Sequence, residues 1–363
     1  MVTLKCRKEL DAIEDYIPAK TIESISREFG LTKVIKLAGN ENRFGCSNLA
    51  KEAIKNAFDE IALYPDFNLT GLRERLSNDL KVNTDQLIFG NGSFELLSLI
   101  AQAFINKGEE SIIPEITFGW YKTVTLQMGG NIVWVPLKEY KIDLYEIKSR
   151  INKNTRVIWI CNPNNPIGTI IDKNTLVNFL KDIPKDIVIV LDEAYYEYVD
   201  DSNYPDSISL LKEHKNIIIL RTFSKVYGLA SLRLGYGIAS PEVINYLNKV
   251  KEPINVNMIA QVAALASLDD QEFKNRVLEN NRVSKQLYYE ELDKLKIDYI
   301  KTQGNFIMIN TKINGDLVVE EFLKRGILIR SGSEFNMSDW VRISIGTYEE
   351  NVEVLKILLS LSQ

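Results

Sequence analysis

Short apolar runs recur along the chain and are separated by stretches with helical periodicity. The run Ile187–Leu191 is uninterrupted, which is typical of a β-strand that is covered on both faces. Polar residues, glycines and prolines follow such runs and indicate turns at the strand ends. The predicted strands of this region are Leu87–Phe89, Ser111–Pro114, Val157–Cys161, Ile187–Leu191 and Ile217–Leu220.

Helical patterns flank these strands and dominate both ends of the chain. Residues 1–38 resemble a helical lead-in, in which Ile22, Ile25 and Phe29 share one helix face and Gly30 is a C-cap. Further helices are predicted at Ala50–Ala62, Leu96–Phe104, Ala260–Leu268, Glu272–Leu295 and Glu349–Leu361, and further strands at Phe306–Asn310, Ile327–Arg330 and Val341–Ile345.

The order of these elements predicts a large α/β domain followed by a smaller one. The segment Val250–Asn257 is the predicted hinge, because the helices and strands after it lack strict alternation and favour a compact α+β domain. The predicted parts are an N-terminal arm with a substrate-proximal loop (1–44), a large domain (45–252) and a small C-terminal domain (253–363).

Composition narrows the functional class. The 363 residues are 45% hydrophobic and 26% charged, as in an ordinary soluble enzyme. A net charge of −5 without a basic tract argues against nucleic acid as a partner. The charged N-terminus lacks the apolar core of a signal peptide, no apolar run reaches membrane-spanning length, and the three cysteines form no disulfide or metal pattern. These features predict a cytoplasmic protein.

The chain has one histidine, His214, which lies in a polar segment. A serine–histidine–aspartate triad or a histidine-rich metal site would have to depend on it. Proton transfer is therefore expected from lysine, aspartate, glutamate, tyrosine or cysteine.

The segment from Leu220 to Gly237, LRTFSKVYGLASLRLGYG, carries the most informative chemistry. Lys225 lies beside the hydroxyls of Thr222 and Ser224, and Arg233 follows eight positions later. A lysine amine can form a Schiff base while hydroxyls and a guanidinium bind a phosphate. Pyridoxal phosphate (PLP) needs both functions. The alternative is a surface lysine with a structural arginine.

Two other strands also end in polar segments. Ile187–Leu191 leads to Asp192, whose carboxylate could keep a pyridine nitrogen protonated. An Asp-Glu pair at a strand end could instead bind a metal, but no Walker-type phosphate loop accompanies it, and no metal is predicted. Val157–Cys161 leads to NPNNPIGT, an irregular loop at the strand end where open α/β sheets bind ligands.

A third segment, Gly90–Glu95, precedes an apolar helix. Its glycines expose backbone N–H groups at a helix start, where the dipole favours an anion. The glycine spacing lacks the dinucleotide fingerprint and argues against a Rossmann dehydrogenase. Further along, Phe118 could give an aromatic face to a flat cofactor or belong to the core.

Together these segments resemble fold-type I PLP-dependent enzymes, and most of all the histidinol-phosphate aminotransferase group, whose relatives include threonine-phosphate decarboxylase. The resemblance covers about Tyr16 to Gly346. It implies a large domain with a mostly parallel central sheet flanked by helices, a smaller α+β C-terminal domain, bound PLP and a homodimer with shared active sites.

The resemblance also implies roles for particular residues. Lys225 forms the Schiff base, Asp192 contacts the ring nitrogen, Tyr195 and Asn165 bind the phenolic oxygen, and Phe118 stacks on the ring. The implied phosphate contacts are Gly92, Ser93, Phe94, Thr222, Ser224, Arg233 and, from the other subunit, Tyr64. The implied substrate contacts are Asn40, Arg43, Arg330 and Arg342.

Three positions depart from the family pattern. Arg43 replaces a proline, Phe94 replaces an acidic residue and leaves only backbone donors, and Ile167 replaces a common threonine. Arg43 could instead be solvated. Arg330 and Arg342 lie on apolar strands, so each should have an anionic partner, either a substrate group or an internal salt bridge.

The expected activity is PLP-dependent amino transfer between a small phosphorylated amine or amino acid and a 2-oxo acid. A decarboxylase of a phosphorylated amino acid is the alternative, because both reactions use the same lysine, aspartate and arginine. A protein that only binds or senses a ligand belongs to a third class. The retained lysine, aspartate and tyrosine argue against it.

Overall fold

The computed structural model describes residues 5–15 and 21–361. The rest of the predicted arm (1–4 and 16–20) and the last two residues of the predicted small domain lie outside the described residues. The helices are α1 (Ile22–Phe29), α2 (Asn48–Asn56), α3 (Thr70–Leu80), α4 (Ser93–Phe104), α5 (Trp120–Gln127), α6 (Leu144–Ser149), α7 (Lys173–Lys181), α8 (Ser207–Leu210), α9 (Pro241–Val250), α10 (Met258–Asp269), α11 (Gln271–Leu295), α12 (Gly315–Lys324) and α13 (Tyr348–Leu361).

The strands form one large sheet and several smaller ones. They are β1 (Ile35–Lys36), β2 (Leu87–Asn91), β3 (Glu110–Pro114), β4 (Asn131–Val135), β5 (Leu137–Lys138), β6 (Lys141–Ile142), β7 (Thr155–Cys161), β8 (Val188–Asp192), β9 (Ile217–Thr222), β10 (Leu234–Ala239), β11 (Tyr299–Ile300), β12 (Phe306–Asn310), β13 (Ile327–Leu328), β14 (Arg330–Ser331) and β15 (Trp340–Ser344).

The large sheet has seven strands in the order β2-β10-β9-β8-β7-β3-β4. Strands β9, β8, β7, β3 and β4 run parallel, whereas β10 is antiparallel to β9 and β2. This arrangement confirms the predicted α/β fold with a mostly parallel central sheet. Because the central strands share one direction, their carboxyl ends meet at one edge of the sheet.

Both faces of this sheet are buried, as the uninterrupted apolar runs predict. Along β8, Ile189 and Leu191 join one core cluster while Val188 and Val190 join the other. The same alternation continues along β7 and β9. Helices α4, α5 and α9 cover one face, and α3, α6, α7 and α10 cover the other.

The C-terminal part contains a four-stranded antiparallel sheet in the order β11-β12-β15-β14. Side chains of this sheet pack against helices α11, α12 and α13 and form the hydrophobic core of the C-terminal part. The N-terminal arm contributes β1, which pairs in parallel with β13. The chain segment that follows β1 is thereby held beside the C-terminal sheet.

Two elements differ from the sequence prediction. The helix expected at Ala50–Ala62 ends at Asn56 and gives way to a 3-10 turn at Phe58–Glu60. The strand expected at Ile327–Arg330 divides into β13 and β14, which belong to different sheets. Neither division has a marker in the hydrophobic pattern.

The long helix α11 joins the two parts of the molecule. Its N-terminal residues Phe273 and Val277 pack in the large core, whereas Tyr288 and Leu292 pack in the C-terminal core. Helix α10 also packs against α2 and α3. The boundary at residues 252/253 stays a prediction, and this packing favours a later one within α11.

Within the described parts of the chain, no helix is both long and apolar enough to cross a membrane.

Candidate active site

Polar segments that follow three parallel strands converge at one edge of the large sheet. The segment NPNN follows β7, DEAY begins at the last residue of β8, and FSK follows β9. The strand register pairs Cys161 with Asp192, and Asp192 with Leu220. The sheet topology therefore brings Asp192, the Asn165 loop and Lys225 to one place.

Lys225 lies at the centre of this group. Its Nζ donates a hydrogen bond of 3.1 Å to the carbonyl oxygen of Gly39 and lies 5.4 Å from the centre of the Tyr195 ring. Burial, followed by the nearby Arg342 cation, lowers the pKa of Lys225 to about 8, while Glu41 opposes that change. About a tenth of the amine is thus neutral at pH 7, and about half is neutral at pH 8.

Asp192 is buried, with 4% of its surface exposed. Its Oδ2 accepts a hydrogen bond of 2.8 Å from the Tyr121 hydroxyl, and its Oδ1 accepts one of 3.2 Å from the Ala194 N–H. Burial raises the pKa of Asp192 to about 6, and these two donors limit the rise. The carboxylate is therefore charged above about pH 6.

Two asparagines hold the Tyr195 hydroxyl. Asn40 Nδ2 donates to the Tyr195 oxygen at 3.0 Å, and Asn165 Nδ2 donates at 3.3 Å. Asn40 adopts φ 56°, and the Ser344 hydroxyl bonds both its backbone N–H and its Oδ1. Burial raises the pKa of Tyr195 to about 12, so the phenol stays protonated at neutral pH.

Arg342 continues this network from β15. Its Nη1 donates to Asn165 Oδ1 at 2.6 Å and its Nη2 donates to the Ala38 carbonyl at 2.7 Å. Its Nε is buried and has no hydrogen-bond partner in residues 5–15 and 21–361. No carboxylate pairs with Arg342 among the described residues. Burial lowers its pKa to about 10.

A second cluster surrounds the start of α4. Gly92 has φ 74°, and a Cβ atom there would collide with the guanidinium of Arg233. Arg233 Nη1 donates to the Ala230 carbonyl at 2.8 Å and lies 3.5 Å from Ser224 Oγ. The Ser224 N–H in turn donates to Thr222 Oγ1 at 3.1 Å. No side chain caps α4, so the N–H groups of its first turn, from Ser93 onward, lack a side-chain acceptor.

Aromatic rings border both clusters. Phe118 is partly buried, with its ring centre 5.1 Å from Phe94 and 5.6 Å from Tyr121 in edge-on contacts. Phe94 is 40% exposed and also contacts Trp120 at 5.3 Å. Only a backbone role was predicted for Phe94, but its side chain also belongs to this aromatic group.

Three predicted site residues lie elsewhere or have protein partners. Arg43 forms a two-pronged ion pair with Glu350, at 2.6–3.1 Å, instead of being solvated. Arg330 is paired with Glu334, which is the internal salt bridge that the sequence left open. Tyr64 is 82% exposed, so its side chain points away from the body of this chain's described part. Their assignments as substrate or cofactor contacts stay predictions, and the Arg43 ion pair does not favour its assignment.

Sequence reasoning missed two residues of the network. Tyr121 donates a hydrogen bond to Asp192. Ser344 fixes Asn40 from the far end of the chain. The position of Tyr121 three residues after Phe118, at the start of α5, is the signal that could have indicated the first.

A protein-family model described as "Aminotransferase class I and II" matches residues 32–358. The chain is 49% identical to a histidinol-phosphate aminotransferase of Caldicellulosiruptor saccharolyticus, over 97% of this chain and 98% of that protein. It is 46% identical to one of Brevibacillus brevis, over 94% of each.

Among solved structures, the fold matches the histidinol-phosphate aminotransferase of Sinorhizobium meliloti in complex with pyridoxal-5'-phosphate. The TM-score is 0.89 at 23% identity, covering 99% of this chain and 98% of that one. These matches confirm the resemblance inferred from the sequence and the fold-type I architecture. The chain belongs to the class I and II aminotransferase family.

Proposed function

We propose that the protein is a histidinol-phosphate aminotransferase that uses PLP and passes the amino group to a 2-oxo acid such as 2-oxoglutarate. The names of the relatives at 46–49% identity support this substrate. The observation that carries the proposal is the buried Arg342, which lacks a carboxylate partner among the described residues and is hydrogen-bonded through Asn165 to the group around Lys225. A buried cation in this position is suited to an anionic substrate.

The residues present fit PLP in two places. Gly92 leaves the space beside Arg233 that a Cβ atom would fill, and the free N–H groups of α4 with Ser224 and Thr222 supply donors for a phosphate. The Lys225 amine lies where the three strand ends meet, and Asp192 is nearby with its charge opposite that of the lysine. Phe118 supplies an aromatic face.

When bound, PLP supplies an electron sink for the bond that breaks at the substrate carbon. Lys225 Nζ, with its lowered pKa of about 8, can accept the proton from that carbon and return it. When PLP is bound, the charged Asp192 carboxylate would keep its pyridine nitrogen protonated. The Tyr195 hydroxyl and the Asn165 amide would hydrogen-bond its phenolic oxygen.

Arg342 binds the anionic end of the substrate in this proposal, and Arg330 adds charge beside it. The two arginines are register partners on β14 and β15. Glu334 offsets the charge of Arg330, and Glu350 offsets that of Arg43. We therefore give Arg342 the principal role.

We also propose that the working unit is a homodimer in which Tyr64 serves the neighbouring active site. The segment around Tyr64 exposes large apolar side chains, which is typical of a protein interface. The exposed residues of this segment are Phe58, Ile61, Leu63, Tyr64 and Phe67. The cytoplasmic location stays a prediction from the sequence.

The test is to incubate the purified protein with PLP, 2-oxoglutarate and L-histidinol phosphate, and to follow glutamate formation and CO2 release together. Phosphothreonine, phosphoserine and unphosphorylated L-histidinol serve as comparison substrates. Glutamate without CO2, and a clear preference for histidinol phosphate over histidinol, is the expected result. Release of CO2 from phosphothreonine without glutamate would establish the decarboxylase instead.

A further inference from the structure

Tyr121 is a buried phenol whose ring is held on two sides. It is the second residue of α5 and is fully buried. Its ring stacks on Trp159 with centres 5.1 Å apart and planes within 10°, and Phe118 contacts it edge-on at 5.6 Å. Such packing leaves little freedom for the ring and places the hydroxyl in one direction.

That hydroxyl meets the Asp192 carboxylate. The hydrogen bond from Tyr121 to Oδ2 is 2.8 Å long and that from the Ala194 N–H to Oδ1 is 3.2 Å. Each carboxylate oxygen therefore has one donor among the residues that the structure describes. One donor belongs to the backbone of the same segment, whereas the other comes from α5, 71 residues away in sequence.

The charged and titratable groups around Asp192 come from several elements. Glu193 follows it and raises its pKa, while Lys225 after β9 lowers it. The Cys161 thiol on β7 and the Tyr195 phenol also interact with it, but burial raises the pKa of both groups, so they remain neutral. After burial itself, the Tyr121 hydrogen bond has the largest influence on the pKa of Asp192.

We propose that Tyr121 is a positioning residue that fixes the orientation of Asp192 and keeps its carboxylate charged for the ring nitrogen of PLP. This inference rests on the proposed cofactor but not on the identity of the substrate. A phenol donates a stronger hydrogen bond to a charged carboxylate than to a neutral carboxyl group. The hydrogen bond from Tyr121 therefore favours the charged form of Asp192. Without that donor, a buried carboxylate would accept a proton at higher pH.

The test compares Tyr121→Phe with a matched control, Tyr288→Phe. Tyr288 is equally buried, and its hydroxyl donates to Asn351 Oδ1 at 3.2 Å in the C-terminal core. Both changes remove one buried hydroxyl, but only the first removes a donor to Asp192. Near-ultraviolet circular dichroism of both apoproteins checks that the fold is kept.

The primary readout is the protonation of Asp192 in the apoprotein. The carboxyl C=O stretch is followed by infrared difference spectroscopy from pH 4 to 9 and is assigned by its loss in Asp192→Asn. In Tyr121→Phe the midpoint pH of Asp192 protonation should rise by about one to two units. A hydrogen bond to the charged carboxylate lowers that midpoint by about this amount, and the substitution removes it. Tyr288→Phe should leave it unchanged.

The loaded enzyme gives a second readout. The affinity of Tyr121→Phe for PLP, measured by fluorescence, should fall more at pH 6 than at pH 8, and the acid limb of kcat/KM should move upward with it. A substrate KM that stays within about twofold would agree with action through Asp192. An unchanged infrared midpoint, or an equal change in Tyr288→Phe, would overturn the inference.

A different variant covers failure of Tyr121→Phe to fold. Incorporation of 3-fluorotyrosine at position 121 keeps the ring and hydroxyl but makes the phenol a stronger donor. The Asp192 midpoint should then move downward, and a midpoint that stays or rises would contradict the inference. If the wild-type protein does not convert histidinol phosphate but the infrared midpoints change as expected, the proposed substrate would be refuted and the role of Tyr121 would stand.

Discussion

Two buried arginines in this protein should respond in different ways to the same substitution. Arg342 is 4% exposed and Arg221 is 6% exposed. Arg221 forms an ion pair of 2.8 Å with the buried Glu193 and lies 3.6 Å from the centre of the Tyr196 ring. Within the described part of the chain, the acceptors of Arg342 are neutral and come from Asn165 and Ala38. We expect Arg342→Met to destabilise the apoprotein much less than Arg221→Met does.

The magnitudes follow from the two environments. Lowering the pKa of Arg342 from 12.5 to about 10 corresponds to an unfavourable contribution of about 3 kcal/mol for the buried cation at neutral pH. Its two hydrogen bonds contribute about 1.5–3 kcal/mol each, so removing the side chain should cost only about 0–3 kcal/mol in total. Arg221→Met leaves the Glu193 carboxylate buried and unpaired, which costs about 3–5 kcal/mol. Both arginines also lie over aromatic rings, so the loss of ring contacts does not distinguish the two substitutions.

The assay is urea unfolding of the apoproteins at pH 7, without and with inorganic phosphate. Phosphate at a hundred times its Kd should stabilise a protein that binds it by about 2.7 kcal/mol. Phosphate binding near Arg233 is common to all variants. A smaller phosphate-induced stabilisation of Arg342→Met than of the wild type therefore reports phosphate binding at Arg342 alone. Arg342→Met should also raise KM for the phosphorylated substrate about tenfold to hundredfold.

Two results would refute this reasoning. Equal destabilisation by the two substitutions would mean that Arg342 is paired as well as Arg221 is. Equal stabilisation of the wild type and Arg342→Met by phosphate would mean that Arg342 binds no external anion.

Four further predictions concern the other site residues. The rate at which borohydride traps PLP on the apoprotein should rise from pH 7 to 9, because the pKa of Lys225 is about 8, and Lys225→Ala should abolish the label; label on another lysine would contradict the assignment. Asp192→Asn should bind PLP but lower kcat by at least about a hundredfold, and near-normal turnover would exclude its role. Mixing inactive Lys225→Ala with an inactive Tyr64→Ala should restore activity through hybrid dimers, whereas a fully active monomer in sedimentation would rule this out. Arg43→Pro should alter KM for histidinol phosphate and histidinol by the same factor, because Glu350 holds Arg43; a larger rise for the phosphorylated substrate would assign Arg43 to its binding.

The sequence by itself determined the fold class and the groups at the strand ends. Buried parallel strands are apolar throughout, and the polar residue that ends each one must lie at the same edge of the sheet. Asp192 and Lys225 could therefore be located from local order alone. Arg233 could also be assigned from the sequence, because it lies only eight residues after the lysine and the hydroxyls of Thr222 and Ser224 lie beside that lysine.

Only the tertiary structure decided which partner each side chain has. Arg342 meets Asn165 across 177 residues, Tyr121 meets Asp192 across 71, and Arg43 meets Glu350 across 307. Arg330 is the exception, because Glu334, which neutralises it, lies only four residues away in the sequence, whereas the partners of Arg342 come from distant segments. The hydrophobic period of a segment determines which face is buried, but charge pairing depends on which elements pack together. That packing is a property of the whole chain, and no local pattern records it.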